Sequence, residues 1–174
     1  MVGSHVPKTS AQLNHLLESD LMQAMEFEVE AYIAAESKED FLAALAQELN
    51  QHLAEGRSCV LYTSRELILG CDDASNLELS QVISDGLVNV MQLLECRPRY
   101  LIAKGGITSS DIATKALCIR RAMVRGQILP GIPVWSPDEH AGFPGLCYVV
   151  FPGNVGSDAA LTEAVLKLEP TTTN

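Results

Sequence analysis

Three short apolar runs, each bounded by polar residues, constrain the fold of this chain more than any other feature. They cover residues 58–63 (SCVLYT), 99–103 (RYLIA) and 146–151 (LCYVVF), and segments of helical periodicity lie between and after them. Runs of this kind are typical of strands buried on both faces. Because parallel neighbours need a helix-length return, the alternation predicts an α/β fold of three layers, with a mostly parallel or mixed sheet between helices.

The other segments predict further elements around these runs. Ser37 fits a helix start, and apolar residues then recur three or four apart until Gly56 ends the pattern. Residues 25–31 alternate apolar side chains with glutamates, which predicts a strand at or near a sheet edge. The remaining expectations are a helix from Thr9 or Ser10 to Glu18, a loop over 70–76, helices over 77–95, 110–125 and 158–168, extended chain at Val134 and Trp135, and a frayed tail over 170–174.

The composition supports the same fold class. The chain is 47% hydrophobic but has only four Phe, four Tyr and one Trp, so its core must consist of Ala, Val, Ile and Leu. No internal repeat or low-complexity linker divides the 174 residues, and a single domain over 1–174 is expected. The opening Met-Val-Gly-Ser is typical of a strand that ends in a turn, which suggests further chain upstream.

The charge balance excludes a broad nucleic-acid surface. Twelve Lys and Arg against 22 Asp and Glu give a formal charge of -10, whereas polyanion binding needs basic clusters. The five cysteines lack metal-ligand spacing and are expected to be reduced thiols. Since no segment approaches the roughly 18 apolar residues of a membrane span, the chain is predicted to be soluble and cytoplasmic, without membrane contact.

Residues 104–111 (KGGITSSD) carry the most informative motif. The two glycines let the backbone turn sharply and approach a ligand, and Thr108, Ser109 and Ser110 can bond oxygen atoms or cap a helix. A helix N-terminus suits phosphate, and Lys104 would add a positive charge there. A well-capped helix entry without a ligand is the equal alternative. The motif is not a Walker sequence, which has its Lys after the glycines.

Two further turns share these features. Residues 152–158 (PGNVGSD) follow the last predicted strand and place Ser157 or Asp158 at a helix start, where a structural cap is the favoured interpretation. Residues 3–9 (GSHVPKT) form the opening turn, for which a disordered terminus is the alternative. Because the carboxyl ends of parallel strands meet at one edge, these turns are expected to face one ligand. Arg65 would lie at that edge too, for phosphate binding or for a surface salt bridge.

The other polar residues give weaker signals. The four histidines, His5, His15, His52 and His140, are far apart in sequence and receive no catalytic role. The acidic pairs at 72–73 and 138–139 offer oxygen ligands for Mg²⁺, although solvated loop charge is the commoner outcome. No Ser or Cys has a recognisable elbow or a neighbouring base, so a hydrolase has little support. No metal site within the chain is predicted.

The motifs together resemble a known family. In order along the chain they are VGSHVPKTSAQL, VLYTSRE, LIAKGGITSSDIA and FPGNVGSDAAL. This pattern is similar to the nucleotide-binding C-terminal domain of the four-carbon acid sugar kinases, once known only as a domain of unknown function. The resemblance covers essentially the whole chain.

The resemblance implies an ATP-dependent kinase for tetronic acids such as threonate, erythronate or their oxo forms. Mg²⁺ would arrive with the nucleotide. An N-terminal domain would supply the acid sugar site, and this domain would supply the ATP site from its three turns. The nucleotide-binding residues expected here are Ser4, Lys104, Gly105, Gly106, Ile107, Thr108, Gly153 and Asn154.

One position departs from the family pattern, and other functions stay open. Many members have a second serine two residues after the first, where this chain has Val6. Nothing in the 174 residues corresponds to the substrate domain, so the catalytic base is unknown and the domain alone is not expected to turn over efficiently. The alternatives are a non-catalytic module that binds a nucleotide or phosphorylated metabolite and acts on a partner chain, and a structural dimerisation domain. A homodimer is compatible with each.

Changing Gly105 or Gly106 to Val is expected to abolish nucleotide binding with the fold largely intact.

Overall fold

The computed structural model describes residues 1–65 and 73–170, which form a mixed α/β fold. Its strands are β1 (Gln23–Phe27), β2 (Cys59–Thr63), β3 (Tyr100–Lys104), β4 (Ala122–Leu129), β5 (Ile132–Pro137) and β6 (Cys147–Phe151). Its helices are α1 (Pro7–Leu17), α2 (Val29–Ala34), α3 (Lys38–Ala54), α4 (Asp73–Gln92), α5 (Gly106–Asp111), which continues into a π-helical segment (Ile112–Ala116), and α6 (Ala160–Leu168). No helix within these residues is long and apolar enough to cross a membrane.

The sheet is mixed, and the chain's first residues join its two parts. β1 pairs with β2 in parallel, and the other part has the order β3, β6, β5, β4. Val2 forms parallel bridges to both Tyr62 and Lys104 and so lies between β2 and β3. β3 and β6 are parallel, whereas β5 is antiparallel to both β6 and β4. The carboxyl ends of Val2, β2, β3 and β6 therefore meet at one edge.

Side chains alternate between two cores, one on each face of the sheet. Leu61, Ala103 and Tyr148 belong to the first, which is covered by α2, α3, α4 and the π-helical segment. Their sequence neighbours Val60, Ile102 and Val149 belong to the second, which is covered by α1 and α6. This period-two alternation places apolar residues on both faces, as continuous apolar runs require. The predicted three-layer α/β architecture is confirmed.

Helix α3 begins as the sequence predicts, and α1 does not. The Ser37 hydroxyl accepts a hydrogen bond from the Asp40 N–H at 3.1 Å and caps α3. Helix α1 begins at Pro7, before the Thr9 or Ser10 expected as its cap, and has no side-chain cap. Pro is favoured in the first turn because it lacks the N–H that would go unpaired there and because its fixed φ suits a helix.

Two predicted elements over residues 25–31 and 70–76 are wrong in part. The edge strand is present as β1, but it ends at Phe27, and Val29 begins α2 instead of continuing the strand. Its N–H is bonded to the Ser64 hydroxyl at 3.2 Å, a partner that the local pattern does not reveal. The predicted loop is also too long, because α4 already begins at Asp73; residues 70–72 lie outside the described residues.

The helix predicted over 110–125 is the largest error. Helical structure starts earlier, at Gly106, and ends at Ala116, and Cys118 has a φ of +53° that no right-handed helix accommodates. Strand β4 follows and forms a hairpin with β5 around Gly131. The Pro130-Gly131 pair is a hairpin signal that the sequence analysis overlooked.

Candidate functional site

A cavity of about 250 Å³ opens at the carboxyl edge of the sheet. Gly3, Ser4 and His5 follow the Val2 strand and form one wall. A second wall comes from the turn after β3, and α4 supplies the third. The residues lining it are Gly3, Ser4, His5, Ser80, Ile83, Ser84, Leu87, Gly105, Gly106, Ile107 and Thr108. Two of the three predicted turns therefore share one cavity.

Gly3 and Ser4 pack directly against the turn after β3. A Cβ added to Gly3 would lie 2.5 Å from the Thr108 hydroxyl, so a side chain at this position would force its neighbours to shift. A Cβ added to Gly105 would lie 2.8 Å from the Ser4 Cβ. The two turns can approach this closely only because both contain glycine.

Arg65 and His5 brace the first turn from the β2 side. The Nη1 and Nη2 atoms of Arg65 each donate to the Ser4 carbonyl at 3.0 Å, and Nη2 also donates to the Thr63 hydroxyl at 3.2 Å. These carbonyl and hydroxyl contacts differ from both expected roles, a phosphate contact and a surface salt bridge. His5 Nε2 lies 3.0 Å from the Ser64 carbonyl oxygen. Because a carbonyl oxygen can only accept, Nε2 carries a proton and donates it in this hydrogen bond. Burial, together with the Arg65 charge, lowers the pKa of His5 below 6.5.

The turn after β3 exposes one glycine and buries the other. Gly105 is buried with a φ of +118°, a region that side chains rarely adopt, and its N–H bonds the Phe151 carbonyl at 2.9 Å. Gly106 is exposed, and a Cβ added to it would meet nothing within 4 Å. Ile107 is 67% exposed at the cavity wall. No side chain caps the helix that starts here, and the first N–H groups of a helix have no intrahelical partners.

Lys104 connects this turn to the third predicted turn. Its side chain is fully buried, and Nζ donates to the Pro152 carbonyl at 2.6 Å and to the Gly153 carbonyl at 3.0 Å. A Cβ added to Gly153 would lie 3.5 Å from the Ser4 hydroxyl oxygen, so the third turn reaches the first. Asn154 beside it is exposed.

The three turns therefore converge on Ser4, although they do not contribute equally to the cavity. Five of the eight expected nucleotide-binding residues line it, namely Ser4, Gly105, Gly106, Ile107 and Thr108. Gly153 lies outside the lining, where a Cβ added to it would be 3.5 Å from the Ser4 hydroxyl oxygen, and the Lys104 ammonium donates to the carbonyls of Pro152 and Gly153. The predicted cap at Ser157 or Asp158 is wrong, because α6 begins at Ala160 without a side-chain cap. Asp158 instead forms an ion pair with Lys8 at 2.9 Å.

Sequence reasoning missed the wall formed by α4. Ser80 and Ser84, and likewise Ile83 and Leu87, are four residues apart and so lie on one helix face. Ser84 donates to the Asp111 carboxylate at 2.7 Å, which ties α4 to α5. The sequence gives this helix an apolar face, but only the packing of α4 against α5 shows that the end of that face borders the cavity.

Of the two acidic pairs, only the one at 138–139 lies among the residues whose side chains are described. Asp138 accepts a hydrogen bond from the His140 N–H at 3.1 Å, and Asp72 lies outside the described residues. Among residues 1–65 and 78–170, whose side chains are described, no three His, Cys, Asp or Glu come together as metal ligands.

Comparison with known proteins places the chain among nucleotide-binding domains. The family described as "Nucleotide-binding C-terminal domain" matches residues 1–161. No curated protein sequence matches the chain at a significant level. The solved structures give independent evidence on the fold, and several resemble it closely.

Three solved structures illustrate the likeness. A DUF1537 protein from Bordetella bronchiseptica, a domain-swapped dimer with bound citrate, has a TM-score of 0.72 at 17% identity; the match covers 96% of this chain and 40% of that one. A Salmonella typhimurium LT2 protein, provisionally named a tRNA synthase, has a TM-score of 0.74 at 18% identity, covering 97% and 40%. A Haemophilus influenzae DUF1537 protein has a TM-score of 0.73 at 19% identity, covering 97% and 39%.

At these identities the solved structures show the fold, and this chain spans about two fifths of their length. The family match is the evidence on function, because it covers most of the chain, including the three turns. The chain therefore belongs to the family of nucleotide-binding C-terminal domains, as its resemblance to that domain of the four-carbon acid sugar kinases predicts.

Proposed function

We propose that the cavity binds the phosphates of ATP, and that the domain is the ATP-binding half of a kinase for four-carbon acid sugars such as threonate, erythronate or oxo-tetronate. The observation that carries the proposal is the convergence at Ser4. A Cβ added to Gly105 would lie 2.8 Å from the Ser4 Cβ, and one added to Gly153 would lie 3.5 Å from its hydroxyl. Three glycine-containing turns thus meet around one hydroxyl at the carboxyl edge of the sheet, the usual place for ligands in such folds.

The chemistry of the lining suits a phosphate chain. The N–H groups at the start of α5, the Ser4 hydroxyl and the Thr108 hydroxyl are hydrogen-bond donors at the cavity. Glycine at 106 lets a phosphate approach the backbone closely. No carboxylate is among the described residues that line the cavity. The apolar side chains of Ile83, Leu87 and Ile107 leave surface for the rest of the nucleotide.

Magnesium would come with the nucleotide. The described lining offers neutral oxygen ligands on Ser4, Ser84 and Thr108, and the nearby Asp111 carboxylate is already bonded to Ser84. This donor set fits a cation held mainly by phosphate oxygens, which is how Mg²⁺ usually binds at nucleotide sites. Such an ion would neutralise charge on the transferred phosphoryl group.

The kinase assignment needs a second domain for the acceptor. The similar solved proteins are longer than this chain, which spans about two fifths of them. Phosphoryl transfer depends on the acceptor being held in line with the γ-phosphate. The domain would therefore supply the nucleotide, and a substrate domain would supply the acid sugar and the catalytic base.

Calorimetric titration tests the nucleotide half of this proposal. The protein should bind MgATP saturably, and AMP should bind at least about tenfold more weakly because it lacks the β- and γ-phosphates. Inorganic phosphate serves as a second control. Equal affinity for ATP and AMP would place the main contacts on the nucleoside and its α-phosphate and contradict the proposal.

The kinase half is tested by adding the N-terminal substrate domain of a family member with threonate or erythronate. Phosphorylated acid should appear only when both domains are present. ATP binding with no transfer to any tetronic acid would favour the non-catalytic binding module instead.

A further inference from the structure

Lys104 holds a central position that its sequence motif does not explain. Its backbone joins the first segment to the sheet, since its N–H donates to the Met1 carbonyl at 2.9 Å and its carbonyl accepts from Gly3 at 3.4 Å. Its side chain is fully buried, with Nζ 4.2 Å from the centre of the Phe151 ring. The ammonium donates to the carbonyls of Pro152 and Gly153. One residue thus contacts all three turns.

The two hydrogen bonds from the Lys104 ammonium determine the direction in which two peptide N–H groups point. In a trans peptide the C=O and the N–H of the same plane point in opposite directions, and the described chain has no cis peptide. The Pro152 carbonyl shares its plane with the Gly153 N–H, and the Gly153 carbonyl shares its plane with the Asn154 N–H. Because both carbonyls point at the ammonium, both N–H groups point away from it. The Thr9 hydroxyl also donates a hydrogen bond to the Gly153 carbonyl, at 3.1 Å.

We propose that Lys104 is a positioning residue of the nucleotide site: by holding the carbonyls of Pro152 and Gly153 it turns the N–H groups of Gly153 and Asn154 outward as phosphate donors. This role rests on the proposed ATP-binding function. It differs from a direct lysine–phosphate contact, because Nζ is buried on two carbonyls and Lys104 does not line the cavity. The positive charge also polarises both peptide groups and so strengthens their N–H groups as donors.

The surroundings of the ammonium make this role sensitive to pH. Burial, with a further effect of the positive charge on Lys8, lowers the pKa of Lys104 to about 8. Lys8 is itself paired with Asp158, and His5 on the first turn has a pKa lowered below 6.5, so it stays neutral above neutral pH. As pH rises through about 8 the ammonium loses its charge, and the carbonyls are held less strongly. The affinity for ATP should fall over the same range.

The test is ATP titration of wild type and Lys104→Met from about pH 7 to about pH 9.5, a range in which a lysine of ordinary pKa stays charged. Methionine keeps an unbranched apolar stem but ends before the position of Nζ, so it has neither a donor nor a charge. At about pH 7 the variant should bind ATP at least about tenfold more weakly. Wild-type affinity should decline towards the variant's as pH rises, and the variant's profile should be flat. Lys167→Met, at an exposed lysine on α6, removes the same net charge and should behave as wild type.

A further variant and a control for folding make each result either support or overturn the role of Lys104. Lys104→Arg keeps a charge that does not titrate in this range and should flatten the pH profile while restoring part of the affinity. If Lys104→Met does not fold, as judged by circular dichroism, the wild-type profile measured against Lys167→Met decides alone. A folded Lys104→Met with wild-type affinity, or a wild-type profile without a decline, overturns the role of Lys104 only. Absence of ATP binding by wild type at about pH 7 overturns the proposed function itself.

Discussion

Substitution of Gly106 by Val is expected to remove ATP binding while leaving the protein folded. Gly106 is exposed at the cavity, and a Cβ there would meet nothing within 4 Å, so the fold has room for the side chain. The valine would instead occupy the space through which a phosphate approaches the N–H groups of α5. Losing two charge-assisted hydrogen bonds at about 1.5 kcal/mol each lowers affinity by about a hundredfold or more.

Calorimetry of the variant beside wild type checks this expectation. Thermal unfolding should differ little, because valine has a slightly better helix propensity than the glycine it replaces, by only about 0.5 kcal/mol. Met123→Ala is a suitable control, since Met123 is 65% exposed on β4 and does not line the cavity. A folded Gly106→Val protein with wild-type affinity would place the phosphates elsewhere.

Substitution of Gly105 by Ala is expected to destabilise the fold by about 3 kcal/mol. The added Cβ would lie 2.8 Å from the Ser4 Cβ and 3.2 Å from the Thr108 hydroxyl, and the φ of +118° is strained for any side chain. Backbone strain from the positive φ adds to the overlap with Ser4, because the first turn packs directly on Gly105. The structure therefore argues against a Val at Gly105 leaving the fold largely intact, and that expectation is kept for Gly106 alone.

Urea unfolding of the two alanine variants measures the difference. Gly106→Ala is the matched control, since it adds the same methyl group one residue away, in open space, and should change the free energy of unfolding by less than about 1 kcal/mol. Equal stabilities for Gly105→Ala and Gly106→Ala would mean that the first turn does not pack on Gly105 as the structure shows.

The fold was predictable wherever the pattern of apolar residues within a segment indicates which of its faces are buried. The runs that became β2, β3 and β6 are apolar on both faces, so they identify themselves as central strands. Strand β4 does not, because most of its residues are exposed and it is held by pairing with β5. Its residues therefore resembled a continuation of the preceding helix, and only the Pro130-Gly131 turn signalled the hairpin.

The site was predictable to a similar degree. The glycine turns could be placed at one edge because each follows a strand, and Cβ atoms added to Gly105 and Gly153 would lie 2.8 Å and 3.5 Å from atoms of Ser4. What depends on tertiary packing could not be predicted. The α4 wall has no motif of its own, and Lys104 was expected as a charge at the phosphate, whereas its ammonium lies on two carbonyls of another turn.

The central claim is that three separate turns form one phosphate site, and a ¹⁵N NMR titration with MgATP tests it most directly. The account predicts that the largest amide shift changes occur together at three places, Ser4, residues 105–108 and residues 153–154, with a single dissociation constant. AMP should shift the amides of the third turn much less. Changes confined to residues far from Ser4, such as those of β4, or changes at only one of the three turns, would contradict it.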